Sequence, residues 1–297
     1  MKDNILVDWD FDGTIADTEE AWYLIAKKYL QYFYGISLKQ QKRFTRDIYL
    51  KYFVGCSPVF LVYKMAELGF IEQEKVDIQV RAEQAENFIF QCFKDFSSSP
   101  FNHIKYTDGT ESVINEMHKQ GTTQHITSAS PSRTLIVNIE LLIKNSISKN
   151  QSLIAQWLQS GDVISCFDLE KQKEYTHIYN EINKFYTNDE NNYCKPSPAV
   201  HVYSLIKAIN NGKKIDTIII PEDSPSGILS GKNFKDFLEN PQFSNVRQQI
   251  KIHDGTKVVV VGYLCCKHGA QPEMLLEHGA DIIVNKAEKM QEIASAL

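Results

Sequence analysis

The chain has 297 residues, of which 43% are hydrophobic and 23% charged, and its 32 basic residues stand against 37 acidic ones. These values are typical of a folded globular protein and exclude a disordered, collagen-like or coiled-coil chain, while the length predicts two domains or one domain with an insertion. The formal net charge of −5 excludes nucleic-acid binding through a generally basic surface, so any anionic ligand must be held locally.

The cysteines and the apolar segments indicate the compartment. The six cysteines form no CxxC pair and no zinc-ligand spacing, which favours reduced thiols. The first residues fit no secretory signal, and the longest apolar run, Val258 to Cys266, is far shorter than the roughly 20 residues that a membrane span needs. We therefore expect a cytoplasmic protein, monomeric or homodimeric, that binds neither membranes nor nucleic acid.

The chain begins with a predicted buried strand and continues with a long helical segment. The apolar run Ile5-Leu6-Val7 is the strand, and Asp8 within it requires a polar partner if it is buried. From about residue 17 to residue 100 the sequence has helical periodicity, is rich in aromatic residues and contains no convincing strand. We expect residues 17–100 to be a helical domain inserted into a core that is made of residues 1–16 and 101–297.

Strands and helices alternate in the rest of the chain. Residues 109–120 and 197–210 have the periodicity and end signals of helices. The apolar runs that we predict as strands are His125 to Thr127, Ile218 to Ile220, Val258 to Val261 and Ile282 to Val284. This alternation predicts an α/β fold in which helices cover both faces of a parallel sheet. Two longer connections, residues 169–193 and 232–256, are expected to be surface additions.

Polar residues follow these apolar runs. Asp10 and Asp12 lie two residues apart directly after the first strand and before a Gly-Thr turn. Ligands of open parallel sheets bind beyond the carboxyl ends of the strands, which is where these side chains fall. Two such carboxylates can share a divalent cation through oxygen ligands, as Mg²⁺ prefers, or act as a nucleophile and an acid/base.

The segment Asp10-Phe11-Asp12-Gly13-Thr14 resembles motif I of the haloacid dehalogenase (HAD) superfamily. Three later segments resemble the remaining motifs of that family in the same order: Thr127-Ser128-Ala129, Lys195-Pro196-Ser197-Pro198, and Glu222-Asp223-Ser224 with Gly227. The resemblance spans Ile5 to about Lys286. Because the helical insertion lies between motifs I and II, the chain is similar to subfamily I members, in which a C1 cap closes over a Rossmann-like core.

The resemblance implies roles for the motif residues. Asp10 is implied as the nucleophile that becomes an aspartyl-phosphate, and Asp12 as the group that protonates the leaving oxygen and then activates water. Lys195 is implied to offset negative charge. Ser128, with Thr127 as the alternative, is implied to hold a phosphoryl oxygen.

The same resemblance implies a Mg²⁺ site. Its ligands would be Asp10, the backbone carbonyl of Asp12, and Asp223, with Glu222 beside them. The backbone N–H of Ala129 would assist Ser128 at the phosphoryl group.

The implied function is Mg²⁺-dependent hydrolysis of a small phosphorylated metabolite, such as a sugar phosphate or a phosphoglycolate-like acid. Asp12 argues against a dehalogenase or a phosphonatase, since those branches lack this carboxylate. Two alternatives stay open. The first is a sugar phosphomutase of the β-phosphoglucomutase type, although that branch usually has a cap histidine where this chain has Trp22. The second is a catalytically silent HAD domain used for binding or regulation. In the cap, Arg46, Lys51 and Tyr52 are predicted substrate contacts.

Overall fold

The computed structural model describes residues 4–53, 64–71, 78–96, 104–146, 152–189, 193–253, 255–266 and 270–297. In this described part, six parallel strands form one sheet in the order β3-β2-β1-β4-β5-β6. The strands are β1 (Ile5–Trp9), β2 (Thr123–Ser128), β3 (Val163–Ser165), β4 (Thr217–Glu222), β5 (Lys257–Tyr263) and β6 (Ile282–Val284). Because β1 lies between β2 and β4, the carboxyl ends of these three strands meet at one end of the sheet. The predicted parallel α/β fold is confirmed.

Helices connect the strands and cover the sheet. Those of the first half are α1 (Glu19–Tyr34), α2 (Leu38–Arg43), α3 (Arg46–Tyr52), α4 (Ile78–Phe96), α5 (Thr110–Lys119), α6 (Ser132–Asn145) and α7 (Leu153–Ser160). Those of the second half are α8 (Thr176–Thr187), α9 (Ala199–Asn210), α10 (Pro225–Glu239), α11 (Ser244–Gln249), α12 (Pro272–His278) and α13 (Lys289–Ala296). The helices predicted over residues 109–120 and 197–210 thus correspond to α5 and α9.

The residues of β1 show how the sheet divides two cores. Ile5, Val7 and Trp9 belong to one buried apolar cluster, and Leu6 belongs to another. Successive side chains of a strand point to opposite faces, so a strand that is buried on both sides must be apolar at nearly every position. The sheet is therefore the middle layer of three, as the sequence predicts.

The segment between β1 and β2 begins with α1 to α4 and has a core of its own. Of the described residues between 17 and 96, none is in a strand. Aromatic rings fill this core: Phe44 and Phe53 meet edge to face at 5.3 Å, and Tyr49 and Phe53 lie nearly parallel at 6.3 Å. The aromatic residues of this segment pack against each other. The placing of the domain boundaries at residues 17 and 100 stays a prediction.

The two long connections are not the surface additions that the sequence analysis expects. Ile178 and Tyr179 of α8 are buried in the core on the Leu6 face of the sheet, and so are Phe237 of α10 and Phe243. Their polar and charged neighbours dominate the composition of these segments, which hides the few large apolar side chains that anchor them. β3 was not predicted, because a three-residue strand is too short to show a period in the sequence.

Asp8 is fully buried and has three polar neighbours. Its carboxylate accepts hydrogen bonds from the Ser204 hydroxyl at 2.5 Å and from Nδ1 of His201 at 3.1 Å, both on α9. Since the Ser204 proton goes to Asp8, Nδ1 of His125 must donate to the Ser204 oxygen, at 2.8 Å. Burial lowers the pKa of both histidines, which favours their neutral forms. These contacts provide the partner that a buried Asp8 requires.

Within the described residues, no helix is both long enough and apolar enough to cross a lipid bilayer.

Candidate active site

Asp10 follows the last residue of β1 and meets Lys195 at the carboxyl end of the sheet. The Lys195 ammonium lies 2.6 Å from Oδ1 of Asp10 and 2.6 Å from Oε1 of Glu222, and it donates to the carbonyl of Thr127 at 3.1 Å. These partners come from the ends of β1, β4 and β2, which are adjacent in the sheet. The central position of β1 therefore brings together three of the four motifs around one cation.

Burial sets the charges in this cluster. Burial alone lowers the pKa of Lys195, but the carboxylates of Asp10 and Glu222 outweigh it, so the net shift is upward and the ammonium keeps its charge. Burial raises the pKa of Asp10 and raises that of Glu222 to about 8, in each case against the pull of Lys195. Burial thus favours the protonated form of Glu222, while the Lys195 ammonium favours the ionised form of Asp10.

Asp12 is held by three hydrogen-bond donors. Its Oδ1 accepts from the Thr18 hydroxyl at 2.7 Å and from the Trp22 indole N–H at 2.9 Å, and its Oδ2 accepts from the Ser130 hydroxyl at 2.6 Å. Thr18 immediately precedes α1, Trp22 is in α1, and Ser130 follows β2. Both carboxylate oxygens are thus occupied and oriented, partly from the core and partly from the helical segment.

None of these three donors was predicted from the sequence to contact Asp12. Trp22 is named above only as the position where a histidine is absent, and Thr18 and Ser130 are not among the predicted site residues. A spacing signal does exist for the first two, since residues 18 and 22 lie one turn apart at the start of a helix. This spacing predicts that the two side chains lie on the same face of α1, but it does not predict which residues that face contacts.

Ser128 and Ala129 line the pocket above Asp10 and Asp12. The Ser128 hydroxyl oxygen accepts a hydrogen bond from the backbone N–H of Ser130 at 3.0 Å, which fixes its position at the turn after β2. The hydroxyl of Thr127, the alternative choice, is buried, lies outside this lining and has no hydrogen-bond partner in the structure. Of the two predicted residues, Ser128 rather than Thr127 therefore belongs to the described lining that contains Asp10 and Asp12.

Asp223 lines the same pocket from the end of β4, and its surroundings fit a cation. Its Oδ2 is buried without a hydrogen-bond partner, and a Cβ added at Gly13 would lie only 1.9 Å from that atom. Gly13 has a positive φ of 80° and no side chain, so the motif I turn can approach the carboxylate closely. Gly227 does the same for Glu222, where an added Cβ would lie 1.8 Å from Oε2.

The donor set matches the ligands that the resemblance implies. Asp10 and Asp223 would supply side-chain oxygens, and the carboxylate of Asp12 is already hydrogen-bonded, which is compatible with the backbone carbonyl of Asp12 as the implied third ligand. This set has two carboxylates. The described residues contain no group of three or more His, Cys, Asp or Glu side chains that could hold a metal ion. Mg²⁺ commonly binds to one or two carboxylates and keeps several waters, so this set suits it.

The cap residues predicted to contact substrate are not brought to this pocket. The guanidinium of Arg46 pairs with Glu20 at 3.1 Å, and the ring of Tyr52 lies under the Lys64 ammonium at 5.8 Å. Neither is part of the described lining. The side chain of Lys51 lies outside what the structure describes. The helical segment lines the pocket instead with apolar and aromatic residues, namely Trp22, Tyr49, Phe53 and Ile89.

Comparison with known proteins agrees with the fold and the motifs. Residues 7–149 match the family model described as haloacid dehalogenase-like hydrolase. A conserved haloacid dehalogenase-like protein of unknown function from Agrobacterium tumefaciens is similar in structure, with a TM-score of 0.59, 14% identity and coverage of 99% of this chain and 98% of that one. No curated protein sequence matches significantly.

Two further solved structures have the same fold. CbbY from Rhodobacter sphaeroides, solved in complex with phosphate, has a TM-score of 0.57 at 13% identity, with 99% of each chain covered. A protein described as a putative β-phosphoglucomutase from Thermotoga maritima has a TM-score of 0.50 at 15% identity, with 99% of this chain and 100% of that one covered. With the four motifs gathered at one end of a parallel sheet, the chain has the fold of these haloacid dehalogenase-like proteins, and its residues 7–149 match the family model in sequence.

Proposed function

We propose that the protein is a Mg²⁺-dependent phosphatase that hydrolyses a small phosphorylated metabolite through an aspartyl-phosphate. The observation that supports this most directly is the paired arrangement of Asp10 and Asp12. Lys195 holds one carboxylate at 2.6 Å, and three neutral donors hold the other, at the floor of one pocket. Two carboxyl groups in different surroundings are suited to different roles.

In the first step, a carboxylate oxygen of Asp10 attacks phosphorus and the bond from phosphorus to the leaving oxygen breaks. Asp12 enters this step protonated and gives its proton to the leaving oxygen, so the product is a neutral alcohol. The donors around Asp12 stabilise the carboxylate that remains. Lys195 stabilises the charge on the acyl phosphate that forms at Asp10.

In the second step, Asp12 accepts a proton from water as the water oxygen attacks phosphorus. The bond from phosphorus to Asp10 breaks, which regenerates the free carboxylate and releases inorganic phosphate. Mg²⁺, held by Asp10, the Asp12 carbonyl and Asp223, would supply positive charge for the phosphoryl oxygens. Ser128 donates a hydrogen bond to one of those oxygens.

The first test is hydrolysis of p-nitrophenyl phosphate with Mg²⁺ and with a chelator. We expect activity that requires Mg²⁺ and is abolished in Asp10→Asn. The matched control is Asp216→Asn, the same change just before β4, at the opposite end of the sheet. Activity that survives Asp10→Asn would refute the mechanism.

The same assay separates the alternatives. Isomerisation of a hexose phosphate without release of phosphate would indicate the phosphomutase. A folded protein that turns over no phosphate ester would indicate a silent domain, although the complete set of hydrogen bonds at Asp12 argues against that outcome.

A further inference from the structure

The helical segment covers the pocket with apolar surface. Tyr49, Phe53 and Ile89 line the same pocket as the Asp10 and Asp12 carboxylates. Each is less than 5% exposed, so the space in contact with them is sheltered from water. On the core side, Ala129 and Pro131 add more apolar surface to the same lining. A leaving group that extends from a phosphoryl group at Asp10 toward the helical segment would meet these side chains.

Several polar atoms of the lining already have hydrogen-bond partners. The Trp22 N–H and the Ser130 hydroxyl both donate to Asp12. The Tyr49 hydroxyl is hydrogen-bonded to the buried carboxyl group of Glu19, and the Ser224 hydroxyl oxygen accepts from the backbone N–H of Gly227. A sugar hydroxyl placed here would lose its water partners and would have to compete for donors that already have acceptors, which costs free energy.

The described part of the lining also offers no cation that is free to pair with a second negative charge. Among the described residues that line the pocket, Lys195 is the one cation, and Asp10 and Glu222 bind it. Arg133, on the neighbouring helix α6, is instead held against the ring of Phe90 at 4.3 Å. A carboxylate or a second phosphate on the leaving group would therefore be unpaired next to acidic residues, which is unfavourable.

We propose, on the basis of the phosphatase assignment above, that the preferred substrate is a phosphate monoester of an uncharged alcohol with an apolar ring. This class differs from the sugar phosphates and phosphoglycolate-like acids that the family resemblance implies. Aromatic and aliphatic walls recognise such a ring by excluding water from both surfaces, without any directional contact.

The test compares esters of primary alcohols, so that differences in leaving-group chemistry stay small. Benzyl phosphate and cyclohexylmethyl phosphate represent the proposed class; glycerol 1-phosphate, glucose 6-phosphate and phosphoglycolate represent the polar and charged alternatives. We expect kcat/KM for both ring substrates to exceed that for each polar substrate by at least about tenfold, which corresponds to about 1.4 kcal/mol of differential binding. A polar or charged ester that equals or exceeds benzyl phosphate would overturn the proposal.

A pair of isoleucine variants locates the effect. Ile89→Ala removes apolar surface from the pocket, and we expect the ratio of kcat/KM for benzyl phosphate to that for glycerol 1-phosphate to fall several-fold. Ile114→Ala is the control, because Ile114 is equally buried in the same core cluster but lies outside the lining, and its ratio should not change. Equal falls in both variants would refute recognition by the pocket wall. The comparison of substrates on the unaltered protein does not depend on either variant folding.

The outcomes distinguish this proposal from the phosphatase assignment. If no ester is hydrolysed, including the activated p-nitrophenyl phosphate, the phosphatase assignment is wrong, and the substrate proposal falls with it. If sugar phosphates are the better substrates and Asp10→Asn abolishes their hydrolysis, the assignment stands and the proposed substrate class alone is wrong.

Discussion

Trp22→Phe tests whether the indole N–H supports the acid/base role that we assign to Asp12. The change keeps an aromatic ring at the position, which preserves the edge-to-face contact with Phe93 at 5.0 Å, and removes the donor that lies 2.9 Å from Oδ1 of Asp12. That donor stabilises the carboxylate that remains when Asp12 gives its proton to the leaving oxygen. Its loss should therefore raise the barrier of the first step.

The magnitude follows from the kind of bond that is lost. A hydrogen bond to a charged group contributes about 1.5–3 kcal/mol, and Thr18 and Ser130 still donate to Asp12 in the variant, so we take the lower value. About 1.5 kcal/mol lowers kcat/KM about tenfold for an alkyl phosphate, whose leaving oxygen needs the proton. For p-nitrophenyl phosphate, whose leaving group needs little protonation, the fall should be much smaller. The assay is the ratio of the two kcat/KM values.

Trp9→Phe is the matched control. Its indole N–H also makes a 2.9 Å hydrogen bond, but to Oε1 of Gln124, and its ring packs against Tyr263 on the face of the sheet away from Lys195. This variant leaves a buried amide oxygen without its donor, so its melting temperature should fall while the substrate ratio stays unchanged. An equal fall for both substrates in Trp22→Phe, or no fall, would refute the role of the N–H.

Two further predictions concern the motif I turn and the buried acid of α1. Gly13→Ala places a Cβ 1.9 Å from Oδ2 of Asp223 at a φ of 80°, so we expect it to abolish phosphatase activity. It should also lower the melting temperature more than the control Gly212→Ala, since Gly212 has a φ of 78° but no atom within 4 Å of an added Cβ. Equal effects of the two changes would contradict the role of this close approach. Burial and the charges of Asp12 and Asp10 raise the pKa of Glu19 to about 8. The native state therefore keeps a proton that the unfolded chain releases, so the free energy of unfolding should fall as pH rises from about 5 to 8. Glu19→Gln cannot titrate, so its stability lacks this pH dependence. Without metal, the melting temperature of the variant minus that of the unaltered protein should therefore increase from about pH 5 to pH 8. A difference that stays constant with pH would contradict the interpretation of Glu19 as a buried acid.

The parallel sheet and the meeting of Asp10 with Lys195 could be predicted from the sequence because they follow from topology. Strands that are buried on both faces must be apolar runs, and the ends of adjacent parallel strands bring distant motifs together whatever lies between them. Asp10 and Lys195 are 185 residues apart in the chain, yet the order of the strands places their side chains 2.6 Å apart.

The clamp on Asp12 and the nature of the pocket wall could not be predicted in this way. Which atom the Trp22 N–H meets depends on the angle at which α1 leaves the motif I turn, and no residue pattern encodes that angle. Arg46 illustrates the reverse case, because its charge made it a plausible ligand for an anion, but Glu20 on α1 lies close enough to pair with it. Long side chains select their partners in three dimensions, so composition alone cannot rank them.

The buried contacts of Asp8 have a mechanical consequence. Asp8 joins β1 to His201 and Ser204 of α9, while Asp10, the proposed nucleophile, directly follows β1 and Lys195 lies just before α9. The strand and the helix are thus fastened together below the pocket, and the distance between Asp10 and Lys195 is fixed by the core alone. The clamp on Asp12, by contrast, depends on Thr18 and Trp22. A displacement of α1 would therefore break two of the hydrogen bonds to Asp12, the proposed acid/base group, and leave the pair of Asp10 and Lys195 intact.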